Sequence, residues 1–402
     1  MLAIALVDRV GSGLWASVSV LYFTYVSGLS LAEVGTLAAV SGAIGIAGAP
    51  LAGRIADRLP LTRVLIALQL LRALASFALL TTDDYALLLA VSAVGALGDR
   101  AANLLTKLYA TRIAGPDRVR YQALNRTVAN AGWALGGLAA AAALALDSTM
   151  AYRWLLAGDA LSFVAAALLT LRCGEPPSPA RVVAGSGTTP RTAKPANPWR
   201  DRAYLAYVAT DTVLFLDDAV FKVGLPLWIA HSDQVPHGLA PLLLVLNNVV
   251  VVALQVPLAR LGTSSEAARR LLVPLSAAFA LGGITMSLSA TGGTLTATLL
   301  LTAAAAAFTA AEMLHATISW ELSVALAPDT ALGAYLGVHG LAQSAQRSIG
   351  PLAVTAAIAT GPLGWSAFGA AIALTCGIQH RLVRGRLPQP PLSVVPVTVS
   401  EH

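Results

Sequence analysis

The sequence is poor in charge and in cysteine. Charged residues make up 11% of its 402 residues, about half the fraction found in a soluble globular domain. Its two cysteines, Cys173 and Cys376, lie in different halves of the chain, so the sequence indicates neither a disulfide framework nor a metal site. It contains no Walker A sequence, no His-x-x-x-His or Cys-x-x-Cys pair and no channel selectivity filter. These absences argue against ATP-driven transport, a channel and an enzyme, and we expect no cofactor.

Long apolar runs are abundant instead. Hydrophobic residues make up 56% of the chain, and the mean hydropathy is +0.72. The runs are too long and too many for a globular core, and they reach the roughly 20 residues that a helix needs to cross a bilayer. The sequence therefore predicts an all-α polytopic membrane protein. Its twelve predicted spans cover 2–26, 31–53, 63–81, 85–108, 122–146, 152–172, 203–229, 238–260, 269–290, 294–318, 332–358 and 364–380.

Basic and acidic residues alternate between the predicted spans. Arg58 and Arg63 follow span two, and basic groups also follow spans four, eight and twelve, whereas the opposite loops hold acids such as Asp83 and Asp84. Because Lys and Arg are retained on the cytoplasmic side, both termini are predicted to be cytoplasmic. The loop between spans ten and eleven is an exception, since it holds Glu321 and no basic residue.

The chain divides into two similar halves. A stretch rich in Pro, Gly, Ser and Thr predicts a flexible cytoplasmic linker over 173–202, between a six-helix bundle at 1–172 and another at 203–386. Residues 387–402 contain four prolines and are predicted to be a disordered tail. The end of span two, Ala-Pro-Leu-Ala from Ala49, reappears at the end of span eight as Val-Pro-Leu-Ala, which indicates a parallel repeat.

A short motif follows span two. Residues 53–63 read Gly-Arg-Ile-Ala-Asp-Arg-Leu-Pro-Leu-Thr-Arg, and the pattern Gly-x-x-x-Asp-Arg of Gly53, Asp57 and Arg58 resembles the loop 2–3 signature of the major facilitator superfamily. The family's second Gly and Arg-Lys run are replaced here by Pro-Leu-Thr. With the twelve spans and the repeat, the resemblance implies two six-helix bundles that alternate between inward-open and outward-open states. Asp57 and Arg58 would lock neighbouring helices together and release them.

Four ionisable residues fall at similar predicted depth in spans one and four. Each ionisable group in the membrane costs about 2.5–3.5 kcal/mol on insertion scales, so each needs a reason. In the resembled fold these two spans are neighbours, and we predict that Asp8 pairs with Arg100 and that Arg9 pairs with Asp99. A structural ion cluster or a part in proton coupling would explain them. The family's span-four motif has a cavity-facing Arg, which Arg100 would match.

Span seven carries much of the predicted proton chemistry. At 100° per residue, Asp211, Asp218 and Lys222 share one face and Asp217 is turned away. Asp218 and Lys222 form an i,i+4 pair in the favourable order. A carboxylate in mid-span can stay protonated until water or a base approaches, so we predict that Asp217 and Asp218 carry protons. The alternative is that Lys222 only neutralises Asp218.

Span ten adds a second polar face. Glu312, His315 and Ser319 stand at helical spacing, and a histidine changes charge near neutral pH. The alternative is a hydrogen-bonded structural histidine. Arg347 in span eleven is the basic group expected to meet Asp217 or Glu312. The predicted proton-coupling residues are therefore Asp211, Asp217, Asp218, Glu312 and His315.

Two further helices bear on the predicted cavity and its gate. On span one, Asp8, Ser12, Trp15, Ser19 and Tyr22 form a stripe that lines a water-filled cavity or packs between helices. Span five carries Gly132, Gly136 and Gly137, where the family's drug/proton antiporters often have a Gly-rich run with Gly-Pro; here it has no proline. Such small residues allow close contact and a pivot between domains. The predicted substrate-cavity residues are Trp15, Ser19, Tyr22, Asn103, Lys222 and Arg347.

The resemblance implies a secondary active transporter. Our interpretation is proton-coupled efflux of a small amphipathic drug or natural product by a monomer in the plasma membrane, a bacterial inner membrane. Acids near the membrane midplane favour a cationic or zwitterionic cargo. The expected partners are that solute, protons and lipid, with no nucleic acid and no metal. The alternatives are a proton-coupled importer of a small metabolite and a family-like membrane partner or sensor that does not transport.

Overall fold

The described part of the chain is helical, without a strand. The structure is a computed structural model that describes residues 1–144, 148–176, 196–232, 235–236 and 238–387. Most of the predicted linker at 173–202 and of the predicted tail at 387–402 lies outside these residues. By length and composition, eight described stretches of helix are long and apolar enough to cross a membrane. The number of twelve spans and the cytoplasmic termini stay predictions.

The first half follows the predicted spans closely, with one helix divided. Predicted span two is split into α2 and α3 around Ile46 and Ala47, and α5 continues to Ala114. Ser30 and Glu33 form a capping box that starts α2, and the Asp84 side chain caps α5. The helices are α1 Leu2–Tyr25, α2 Leu31–Gly45, α3 Gly48–Arg58, α4 Leu61–Leu79, α5 Tyr85–Ala114, α6 Arg118–Leu144 and α7 Thr149–Leu171.

The second half departs from prediction at span seven. Predicted span seven is broken by a turn after Leu214 and by a π-turn at Val220–Gly224. Pro226 has no N–H, so the Lys222 carbonyl cannot bond four residues ahead, and the Leu225 N–H bonds to the Val220 carbonyl instead. The helices are α8 Arg202–Leu214, α9 Asp217–Ala219, α10 Leu225–Ala230, α11 Leu239–Ala259, α12 Ser265–Leu288, α13 Thr294–Ala325, α14 Leu332–Ala359 and α15 Pro362–Arg384.

Glycines bring helices together within each half. A Cβ atom on Gly136 would lie 2.3 Å from the Val10 carbonyl oxygen, and one on Gly132 would lie 2.7 Å from the Arg9 Cβ, so only glycine lets α6 approach α1 this closely. Gly137 is less crowded. The predicted close contact of this run is therefore present, but it joins two helices of the same half and not the two domains.

The two halves meet on the side of the turn between α3 and α4. The Asp57 carboxylate accepts hydrogen bonds from the backbone N–H groups of Gly333 (3.0 Å) and Ala334 (2.9 Å) at the start of α14. Gly53 lies so close that a Cβ on it would come within 2.1 Å of the Gly333 carbonyl oxygen. Asp57 thus joins the halves through backbone groups of α14, whereas its sequence neighbour Arg58 is exposed.

Candidate functional site

A polar cavity of about 420 Å³ lies between the two halves. Of the predicted substrate-cavity residues, Asn103, Lys222 and Arg347 line it. Within the described residues its lining does not include Trp15, Ser19 or Tyr22. Trp15 and Tyr22 pack edge to face, with ring centroids 5.6 Å apart, inside the first half. Trp15 and Tyr22 therefore pack within the first half, as the second of the two interpretations of their stripe has it.

A histidine on the cavity wall bridges two aspartates. His315 Nδ1 lies 3.3 Å from Asp217 Oδ2, and its Nε2 lies 3.3 Å from Asp211 Oδ1. His315 and Asp217 line the cavity, while Asp211 is fully buried behind them. These three residues, here called the bridging cluster, were all predicted to take part in proton coupling, and the structure brings them together.

The prediction that Asp217 is turned away from Asp211 is wrong. Both carboxylates meet the same imidazole, because the turn after Leu214 changes the direction of the side chains that follow it. A constant 100° per residue holds only in an unbroken helix. The predicted pair of Asp218 and Lys222 is confirmed at 2.7 Å, and both side chains line the cavity.

Asp211 is the most heavily hydrogen-bonded acid of the bridging cluster. Besides His315, its carboxylate accepts from Ser319 Oγ at 2.7 Å and from Gln379 Nε2 at 3.3 Å. His339 Nε2 lies 2.8 Å away and completes the set. His339 and Gln379 were not singled out from the sequence, although each is a polar side chain inside a predicted span, which is the available signal.

The geometry of the bridging cluster suits a group that takes up and releases a proton. An imidazole can donate from both nitrogens only when it is protonated. His315 faces a carboxylate oxygen at each nitrogen, so its protonated form satisfies both contacts. Loss of that proton leaves one nitrogen as an acceptor against a carboxylate, and that contact must then rearrange. Asp217 and His315 are almost completely buried but line the cavity, so the site of exchange lies at the cavity wall.

Glu312 joins the halves through a partner other than the predicted one. Arg126 of α6 donates to the Glu312 carboxylate, and Asn247 Nδ2 donates to its second oxygen at 2.9 Å. Arg347 lines the cavity but makes no hydrogen bond or ion pair with Glu312 or Asp217 among the described contacts. The prediction that Arg347 meets one of those acids is therefore wrong. Arg126 was missed, although it is a lone basic residue inside a predicted span.

A second ion pair explains the acidic loop of the predicted topology. Glu321 belongs to α13, which continues past the predicted end of span ten to Ala325. Its carboxylate accepts from Arg118 Nε at 2.7 Å and from Arg118 Nη2 at 2.6 Å. The basic partner comes from the other half, so the loop after span ten needs none of its own.

The predicted cross-pairing of Asp8 with Arg100 and of Arg9 with Asp99 is wrong. Arg72 of α4 takes both acids: its guanidinium lies 2.5 Å from Asp8 and 3.2 Å from Asp99. Arg9 donates to Asn103 instead, and Arg100 lines the cavity. Arg72 was missed, although it stands alone among apolar residues in the middle of a predicted span. These contacts hold the first half together.

The charges on the cavity wall are mainly basic. Among the described residues that line it, six are Arg or Lys and three are Asp or Glu. The lining therefore reverses the excess of acids that was expected near the membrane midplane. The cavity wall also offers an aromatic contact surface to a bound molecule, since Trp133 lines the cavity and is 42% exposed.

Comparison with known proteins agrees with this architecture. A family model described as Major Facilitator Superfamily matches residues 1–351. No curated protein matches the sequence. Among solved structures, a bacterial homologue of the iron transporter ferroportin in an outward-facing state is similar at 14% identity, with a TM-score of 0.68 and coverage of 95% of this chain and 96% of that one.

Two further solved structures show the same fold. The MFS proton:xylose symporter XylE bound to 6-bromo-6-deoxy-D-glucose has 14% identity and a TM-score of 0.69, and the alignment covers 96% of this chain and 95% of that one. The human organic anion transporter MFSD10 (TETRAN) has 16% identity and a TM-score of 0.62, with coverage of 95% and 97%. At these identities the likeness concerns the fold.

Proposed function

The chain belongs to the Major Facilitator Superfamily of membrane transporters, and from this premise we propose that it couples proton movement to the transport of a small molecule by alternating access. We propose efflux across the plasma membrane as the direction, on the resemblance of its motifs to those of drug/proton antiporters. The observation that carries the proposal of proton coupling is the bridging cluster, in which His315 stands between Asp211 and Asp217 at the cavity wall.

The helices of the bridging cluster also carry the contacts between the halves. His315 lies on α13, which bears Glu312 and Glu321, the two acids that pair with arginines of the first half. Asp211 bonds to His339 on α14, the helix whose first turn docks on Asp57. A rearrangement around Asp211 therefore moves the same helices that hold the cavity closed on the side of the α3–α4 turn.

This connection gives a physical route from proton to gate. Protonated His315 compensates the charges of both neighbouring carboxylates. The helix α13 then keeps its position against the helices that carry Asp211 and Asp217. When the proton leaves, Asp211 keeps its other bonds, which are those to Ser319, Gln379 and His339. One nitrogen of His315, however, then faces a carboxylate as an acceptor, which is unfavourable. Movement of α13, which carries His315, away from the two aspartates relieves that contact. In the proposed cycle, a proton entering from outside binds at Asp217 and His315 as the cargo leaves, and release of that proton to the inside accompanies opening on the side of the α3–α4 turn.

The test is proton-driven transport in liposomes that contain the purified protein and a pH-sensitive dye. A pH gradient is imposed, and amphipathic cations, zwitterions, organic anions and sugars are added in turn. We expect solute-dependent proton movement in one direction only, and its sign decides between efflux and import. Asp217→Asn and His315→Gln should abolish accumulation against a gradient while leaving downhill equilibration of the solute measurable.

A matched control separates coupling from loss of charge. Asp83→Asn removes an exposed loop carboxylate far from the cavity and should transport as the wild type does. Uphill transport that survives unchanged in Asp217→Asn would remove that residue from the mechanism. Folded protein that moves no proton with any solute class would favour a membrane partner or sensor over a transporter.

A further inference from the structure

Two arginines from opposite halves line the cavity without an anionic partner of their own. Arg100 comes from α5 and Arg347 comes from α14. Among the described residues neither makes a hydrogen bond or an ion pair. Asp99 is next to Arg100 in sequence, but its carboxylate is bonded to Arg72. The two guanidinium groups therefore remain available to a molecule that enters the cavity.

The remaining charged side chains on the wall are largely satisfied. Arg126 is paired with Glu312, and Lys222 is paired with Asp218. Asp217 faces His315 in the bridging cluster. Each acid on the wall thus has its own cationic or imidazole partner, and the charge left over at the wall is positive.

Arg100 and Arg347 face the same cavity, so their positive charges repel each other. Two like charges that face one cavity between membrane helices are costly unless an anion compensates them. A guanidinium presents a planar set of donors that matches the oxygens of a carboxylate or phosphate. The pair is therefore built for an anionic group placed between them.

We propose that Arg100 and Arg347 bind the carboxylate or phosphate group of the transported molecule, which is an organic anion. This inference rests on the proposed transport function and names its cargo class. Trp133 on the same wall offers an exposed ring against which an apolar or aromatic body of the cargo packs. Because the two arginines belong to different halves, a bound anion replaces their repulsion with a shared attraction and favours closure of the cavity around it.

Calorimetric titration of the purified protein, without any gradient, tests the inference. The probes are benzoate, 1-naphthoate and phenyl phosphate, each compared with its uncharged counterpart, which is benzamide, 1-naphthamide or phenol. We expect at least one anion to bind about tenfold or more tightly than its uncharged counterpart. Comparison of the two carboxylates with the phosphate ester shows which of the two anionic groups the site prefers.

Variants assign the preference to the two arginines. Arg100→Gln and Arg347→Gln should each weaken binding of the preferred anion about tenfold or more and leave binding of the uncharged counterpart unchanged. Arg100→Lys keeps the charge and should recover part of the affinity. Arg153→Gln, which removes an exposed arginine outside the cavity lining, should bind as the wild type does.

The inference is wrong if every anion binds no more tightly than its uncharged counterpart, or if folded Arg100→Gln and Arg347→Gln proteins keep the wild-type affinity for the anion. Its failure is distinguishable from failure of the proposed function, because binding and proton-driven flux are measured separately. Uphill transport of a neutral or cationic solute would overturn only the cargo class. Tight anion binding without proton movement would overturn only the coupling.

Discussion

Arg118 and Glu321 form a bidentate ion pair that joins the two halves of the protein. The guanidinium Nε and Nη2 atoms lie 2.7 and 2.6 Å from the two carboxylate oxygens. The Glu321 side chain is 1% exposed, whereas Arg118 keeps 26% of its surface in contact with the surroundings. Glu321 lies on the same helix, α13, as the bridging histidine, so a movement of α13 at the proposed proton site would act on this contact between the halves.

We predict that Glu321→Gln shifts the protein toward a state open on the side of the α3–α4 turn. A lost charge-assisted hydrogen bond changes the balance by about 1.5–3 kcal/mol, or roughly ten- to hundredfold in the ratio of the two states. Spin labels at Arg58 and Thr330, in protein with both cysteines replaced by serine, report the distance across the contact. The fraction of long distances should rise.

Reversal of the pair provides the control. The double variant Arg118→Glu with Glu321→Arg restores opposite charges at the same two positions and should return the distance distribution toward that of the wild type. If Glu321→Gln leaves the distribution unchanged, the pair does not hold the halves together.

Gly53 makes a second prediction about the same interface. A Cβ at this position would come within 2.1 Å of the Gly333 carbonyl oxygen in the other half, while its next neighbour in its own half, a Leu104 methyl group, lies 3.3 Å away. Gly53→Ala should therefore leave the first half folded and disfavour the closed contact. We expect a larger fraction of long distances between the spin labels at Arg58 and Thr330, and slower transport.

Gly35→Ala is the matched change, because a Cβ there meets nothing within 4 Å. It should leave both the distances and the transport rate at wild-type values. Equal behaviour of the two alanine variants would show that the close approach of Gly53 to Gly333 has no part in gating.

Local pattern predicted most of the helices, and it failed where partners come from distant helices. The limits of α1, α4 and α7 follow from apolar length and turn residues. The partner of Asp8 does not, because helical periodicity says which face a side chain occupies and not which helix packs on that face. Arg72 is 64 residues away in sequence from Asp8. The position of Asp217 was misjudged for a different reason, the break after Leu214, since Pro226 accounts only for the irregular turn at Val220–Gly224.

The contact of Arg72 with Asp8 and Asp99 yields a stability prediction. The Arg72 side chain is 4% exposed, and its removal leaves Asp99 without its cation and Asp8 with only the longer contact to Arg9 at 3.8 Å. Removal of one partner from a buried ion pair costs about 3–5 kcal/mol. Arg72→Gln should therefore lower the Tm and the yield of folded protein in the membrane. The double variant Arg72→Gln with Asp8→Asn should recover part of the loss, whereas Arg100→Gln should not rescue Asp8→Asn.

Asp201, which lies outside the predicted membrane spans, should make the stability of the protein depend on pH. Burial favours its neutral form, but hydrogen bonds from Arg386, from the Tyr204 amide and from the Tyr335 hydroxyl hold the pKa of Asp201 below its usual value. A carboxyl group with a lowered folded pKa contributes stability that is complete above its ordinary pKa of about 4 and is lost as the pH falls through the folded value.

The Tm difference between the wild type and Asp201→Asn should therefore stay constant from about pH 8 to about pH 5 and narrow below about pH 4. Arg386→Gln should show the same trend, because its partner is the same carboxylate. A difference that does not narrow on acidification would mean that the Asp201 charge contributes nothing to the folded state.

Asp211 and Asp217 are both buried, but only Asp217 lines the cavity, and this difference separates structure from proton coupling. Asp211 is fully buried and accepts from Ser319 and Gln379 as well as the histidines, so an amide at this position places N–H groups against donors. We expect Asp211→Asn to lose about 3 kcal/mol or more of stability. Asp217 reaches the cavity, and Asp217→Asn can turn its amide toward water. We expect its Tm to stay near that of the wild type.

Transport assays then divide the two roles. Asp217→Asn should still exchange labelled for unlabelled solute across the membrane, because exchange needs no net proton transfer, but it should not accumulate solute against a gradient. Asp211→Asn should be impaired in both assays in proportion to its loss of folded protein. If Asp217→Asn is instead as unstable as Asp211→Asn, His315 serves only to neutralise two buried acids, and the proton site must lie elsewhere on the cavity wall, with Asp218 and Glu312 as the remaining carboxylates.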